Sequence, residues 1–121
     1  MTVNFNSTFS HDLEVGQLAE QWLGEVLTGK RIEVKRDKKA SQTGNLFIEY
    51  MSRGQKSGIS TTNAEFWAFV LDEQKVIIAP TQTVKELARV AVRENRVISG
   101  GDQLTSKGAL VRLTDLISPR G

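Results

Sequence analysis

The sequence predicts a mixed α/β fold, a central β-sheet of mixed direction flanked by helices, and three observations lead to it. Apolar residues recur at helical spacing in residues 13–27 and again in residues 84–91. Segments of strand character lie between and after those two stretches. The 121 residues, 39% hydrophobic and 25% charged, have the length and balance of a single domain behind a polar lead of residues 1–10.

Each element has its own justification. Leu13, Val15, Leu18, Ala19, Trp22, Leu23, Val26 and Leu27 follow three- and four-residue intervals, and Gly29 stands where a helix stop belongs, so a helix is predicted over residues 13–28. Residues 30–37 and 45–51 are strand-like and are separated by a polar stretch holding Ser41 and Gly44, which predicts an antiparallel hairpin. A turn over residues 52–60 leads to Thr62 and Glu65, spaced as a capping box, and a short aromatic-rich helix is expected to about Leu71. Residues 76–79, apolar and followed by Pro80, suit a buried strand. Thr83 and Glu86 repeat the capping-box spacing at the head of a helix to about Arg93, with Val84, Leu87, Ala88 and Ala91 inward. Val97-Ile98, a loop at residues 99–102 and the segment at residues 109–113 complete the chain, with one short strand after the last helix.

Composition removes several function classes. Sixteen basic against fourteen acidic residues leave a net charge of +2, too balanced for a polyanion-wrapping tail although compatible with an anionic partner. The absence of cysteine excludes disulfides, thiolate metal sites and a cysteine nucleophile, and points to a reducing compartment. The longest apolar run, residues 66–71, is too short to span a bilayer, and residues 1–10 have neither the basic start nor the apolar core of a signal peptide. A cytoplasmic protein without a membrane partner is therefore expected. His11, the one histidine, has no serine nucleophile motif to serve, and the glycines at 100, 101 and 108 lack the spacing of a Walker loop. Trp22, Phe66, Trp67 and Phe69 fall at helical spacings and are assigned to the core.

The chemistry concentrates in the expected hairpin. Alternation puts Glu33, Lys35 and Asp37 on one face of the first strand, and Phe47, Glu49 and Met51 on one face of the second. A turn centred near Ser41 sets Glu33 opposite Glu49 and Lys35 opposite Phe47; a looser loop brings Asp37 closer to Glu49 instead. Carboxylates facing each other across a strand pair destabilise it. A divalent cation reverses that sign, since Mg²⁺ is held by one or two carboxylates together with water and phosphate oxygens. Alternating charges on a solvated sheet face are the simpler account of the same pattern.

Glu20 extends the pattern. Gly16 to Glu20 in the first helix, then Glu33-Val34-Lys35-Arg36-Asp37, then Phe47-Ile48-Glu49-Tyr50-Met51, followed by a helix from Thr62, resembles the PD-(D/E)XK nuclease superfamily over residues 13–80. Within it the order is similar to small Holliday junction resolvases of phage and archaeal type. The resemblance implies a restriction-endonuclease-like fold and a Mg²⁺- or Mn²⁺-dependent DNA endonuclease of phage or bacterial recombination. Glu33, Asp37 and Glu49 would be its metal ligands, Glu20 an outer ligand, and a lysine would orient or deprotonate the nucleophile. The family pattern places that lysine two residues after the second strand's acid, where this chain has Met51. Lys35 from the neighbouring strand or Lys56 from the following loop would replace it, or the site would be inactive.

Residues 30–39 hold six basic side chains, Lys30, Arg31, Lys35, Arg36, Lys38 and Lys39, against two acids. Such a run beside metal-binding acids suits phosphate neutralisation, and Arg53 and Lys56 add a second basic turn. DNA is thus the expected partner, with a homodimer left open. A non-catalytic nucleic-acid-binding domain that keeps the fold is the alternative, and a small interaction module without nucleic acid is a third.

Overall fold

In the computed structural model, which describes residues 9–72 and 74–118, the chain divides into two compact units, Met1–Lys30 and Arg31–Gly121. The first is built on α1 (Phe9–Leu27), the helix expected from the apolar spacing, begun a turn earlier. In chain order the second holds β1 (Ile32–Arg36), the short helix α2 (Ala40–Thr43), β2 (Asn45–Ser52), β3 (Gln55–Lys56) and a 3-10 turn at Gly58–Ser60. There follow β4 (Phe66–Asp72), β5 (Lys75–Pro80), α3 (Thr81–Arg93), β6 (Val97–Gly100), a 3-10 turn at Asp102–Leu104, β7 (Ser106–Arg112) and α4 (Leu113–Ile117). Among the described residues no helix is long and apolar enough to cross a membrane.

The fold is mixed α/β with a mixed sheet, but its strands form two hydrogen-bonded sheets, β1-β4-β5 and β3-β2-β7-β6. The expected hairpin of β1 and β2 is absent. β1 runs parallel to β4, with Glu33 beside Trp67 and Lys35 beside Phe69, whereas β2 runs antiparallel to β7, with Phe47 opposite Leu110 and Glu49 opposite Gly108. Glu33 therefore does not face Glu49. The cause lies in the connection: residues 37–44 wind into α2 instead of a two-strand turn. Gly44 ends that helix at φ 77°, a left-handed conformation that glycine adopts without steric cost, and its N–H donates to the Ala40 carbonyl at 2.8 Å.

The segment expected as an aromatic helix is strand β4. Six consecutive apolar residues carry no helical period, and their aromatic and β-branched members suit a strand covered on both faces. Trp67, Ala68, Phe69 and Leu71 are buried there. The Thr62–Glu65 capping box does not form; the N–H groups of Glu65 and Phe66 both donate to the Arg31 carbonyl and lead into β4. α3 starts at Thr81, two residues before the expected cap, and the Thr81 hydroxyl donates to the Ala64 carbonyl at 2.8 Å.

One core joins both sheets to α3. Leu46 and Ile48 of β2, Ala109 and Val111 of β7, Trp67 and Phe69 of β4, and Val84, Ala88 and Ala91 of α3 meet in a single buried cluster. The Trp67 and Phe69 rings lie 6.0 Å apart at 45°, a tilted pairing that adds about 1 kcal/mol to their burial. At the β4–β5 turn, the Gln74 N–H and then the Lys75 ammonium hold the Asp72 carboxyl below its ordinary value of 3.8.

Candidate functional site

Asp37 stands where the two sheets meet. Its backbone N–H donates to the Val70 carbonyl at 3.1 Å, extending the β1–β4 ladder by one residue. Its side chain turns to other partners: Oδ1 accepts the Ala40 N–H at 3.2 Å, holding the start of α2, and Oδ2 accepts the Phe47 N–H at 2.9 Å. β3 pairs with β2 only at Met51 and Ser52, so at Phe47 the carboxylate takes the place of a neighbouring strand.

This junction opens a cleft of about 490 Å³ lined by Lys35, Arg36, Asp37, Lys38, Lys39, Phe47, Glu49 and Trp67. Lys35, Asp37 and Glu49 are thus gathered, although not by strand pairing. The Lys35 ammonium sits 5.5 Å from the Trp67 ring centroid and 3.9 Å from Glu33 Oε1. A cation over an indole face is attracted by the ring quadrupole, while an exposed ion pair of that length contributes little.

Glu33 does not line the cleft; its partner is Lys35. The expected triple of Glu33, Asp37 and Glu49 is therefore not assembled, and among the described residues no three acidic or histidine side chains converge on one point. What the cleft offers a divalent cation is two carboxylates, Asp37 and Glu49. Glu20 lies exposed on α1, in the first unit.

Glu49 is fixed from two directions. The β2–β7 register shifts between Glu49, opposite Gly108, and Met51, opposite Lys107, so Tyr50 is an extra residue on β2. Such a bulge breaks the simple alternation that puts Glu49 and Met51 on one face. The second constraint is Gly58, at φ 55°: a Cβ there would overlap the Glu49 carbonyl oxygen. Gly58 escaped sequence reasoning, which saw only a turn. Phe47 is seated by glycines in the same way, since a Cβ at Gly100 or Gly108 would run into its ring.

The expected DNA-binding cations separate. Arg36, Lys38 and Lys39 line the cleft, whereas Lys30, Arg31 and Arg53 do not. Lys56 stands opposite Met51 on β3 and lines a different groove with Tyr50 and α3. Of the two lysines considered for the family position, Lys35 is the one beside the acids. Compared with protein-family models, with curated proteins and with solved structures, the chain matches none.

Proposed function

We propose that this chain is a divalent-metal-dependent DNA endonuclease with a restriction-endonuclease-like core of PD-(D/E)XK type, acting on branched DNA in the cytoplasm of a bacterial or phage-infected cell. The observation that carries the reading is the cleft, where Asp37, Glu49 and Lys35 share a wall with Arg36, Lys38 and Lys39. Carboxylates and cations crowded together suit a reaction in which a divalent ion and an anionic backbone must occupy the same space.

The donor set fits Mg²⁺ or Mn²⁺. Each carboxylate oxygen has two lone pairs, and Asp37 gives each of its oxygens one backbone N–H, so acceptor capacity remains on both. Asp37 and Glu49 would hold the ion, with phosphate oxygens and water completing its shell. When bound, it would supply an activated water and neutralise charge on the scissile phosphate. Lys35, steadied over Trp67, would place its ammonium against charge developing on the phosphate oxygens. Arg36, Lys38 and Lys39 would engage the flanking phosphates. Cutting both strands of a junction calls for two such clefts, so a homodimer belongs to the proposal.

Two features favour a second reading, a DNA-binding domain that does not cleave. Met51 supplies no ammonium, and both Asp37 oxygens already serve the backbone. Incubating end-labelled four-way junctions and linear duplexes with and without Mg²⁺ distinguishes the two. Metal-dependent incision of the junction supports the nuclease; salt-sensitive binding with no product supports the binding domain.

A further inference from the structure

A second large concavity of the Arg31–Gly121 unit, about 550 Å³, lies between α3 and residues of β2, β3 and the Gly58–Ser60 turn. We propose that it binds an unpaired, single-stranded segment of the DNA substrate, an inference that rests on the nuclease reading above.

Charge is the first reason. Lys85, Arg89 and Arg93 follow one another at four-residue intervals along one face of α3, each step rising about 6 Å. Arg93, in the last turn, is favoured by the helix dipole, but like charges at that spacing destabilise a helix, and Lys85 and Arg89 have no such support. Lys56 of β3 adds a fourth cation, and no acidic residue lines the groove. Glu86, on the same helix, accepts a hydrogen bond from the Gln82 side chain instead.

Shape and polarity narrow the class of anion. Between the cations lies an apolar floor of Ile59 and Ala88, both buried, with half-buried Tyr50 and exposed Val92 beside them. A duplex offers phosphates but keeps its base faces stacked inside, and an acidic peptide offers carboxylates without planar rings. Unpaired nucleotides bring both a charged backbone to track the row and flat bases to lie on tyrosine and aliphatic surface. The position also fits a branched substrate, since Glu49 lines the cleft and the next residue of β2, Tyr50, lines the groove.

The test is fluorescence anisotropy in EDTA with a labelled twelve-nucleotide oligo-dT and a blunt duplex of equal length, so that no cleavage is required. Arg89 and Arg93 are exposed, and the Arg89→Glu/Arg93→Glu variant should fold; Arg89→Gln/Arg93→Gln is the milder companion. Single-strand affinity should fall about tenfold or more in the first and by less in the second, and the slope of log affinity against log salt should become shallower by about 1.4 for two lost cations. Duplex affinity should change far less. Equal losses on duplex and single strand, no oligo-dT binding by the wild type, or displacement of oligo-dT by polyglutamate as readily as by unlabelled oligo-dT would each overturn the inference. If oligo-dT binding behaves as expected and junctions are never cut, the groove stands and the nuclease reading falls.

Discussion

The Asp37 carboxylate accepts the Phe47 N–H at 2.9 Å and thereby joins the end of β1 to the open side of β2. Its other oxygen holds the first turn of α2, so one side chain sets the connection between the strands that carry Lys35 and Glu49. Asp37→Ala should therefore lower stability by about 1–3 kcal/mol in urea unfolding at neutral pH, the range for leaving part-buried donors without an acceptor. Asp37→Asn should lose less, because its amide oxygen can still accept one of the two N–H groups. Equal stability of all three proteins would show that the link carries no weight.

Glu49→Gln should abolish Mg²⁺-dependent cleavage while junction binding in EDTA and the unfolding midpoint remain near those of the wild type. The contrast with Asp37 is the informative part, since Glu49 has no described hydrogen-bonding duty to the backbone and Asp37 has two. Wild-type turnover by Glu49→Gln would remove the catalytic role of β2.

Lys35→Ala should slow cleavage by about a hundredfold or more, the scale for losing a positioned acid–base or electrostatic group, whereas Lys56→Ala should have a much smaller effect. Lys35 shares the cleft with Asp37 and Glu49, and Lys56 lies in the α3 groove. Single-turnover rates at saturating DNA and Mg²⁺ separate chemistry from binding. A normal Lys35→Ala with an inactive Lys56→Ala would move the functional lysine to the other side of β2.

Charge reversal at Lys38 and Lys39 should weaken duplex and junction binding irrespective of sequence, and should flatten the salt dependence by about 1.8 slope units if each engages one duplex phosphate. Both line the cleft and neither is a carboxylate ligand, so metal binding should persist. An unchanged slope would place the duplex elsewhere.

Gly58→Ala should cost more than about 1 kcal/mol, because position 58 has a left-handed backbone and the new methyl meets the Glu49 carbonyl. Displacing that segment should also lower the cleavage rate at saturating DNA, with little change in DNA affinity. Unaltered stability and rate would mean that the β2 backbone yields there without consequence.

Elements governed by their own residues were legible in the sequence: the apolar period of α1 and α3, the run at residues 76–79 that became β5, although as an edge strand with only Ala79 buried, and the β6 and β7 segments near their expected places. Partnership between strands was not. Nothing local to residues 32–36 specifies β4, thirty-four residues away, as their neighbour, and the alternation within residues 45–51 cannot reveal a bulge at Tyr50. The grouping of Lys35, Asp37 and Glu49 was anticipated through a hairpin that does not form, and arises from a side-chain bond across two sheets. The stripe of α3 was read for its inward face, which left Lys85, Arg89 and Arg93 unnoticed.

The partnership of β2 with β7 bears on how this protein comes off the ribosome. Glu49 is held in register by Gly108, so the acid emerges long before the strand that seats it. β1, β4 and β5 have all their strand partners once residue 80 has left the ribosome, whereas β2 lacks its β7 partner until residues 106–112 follow. The β2 wall of the cleft is thus complete only once residues 106–112 have paired with it.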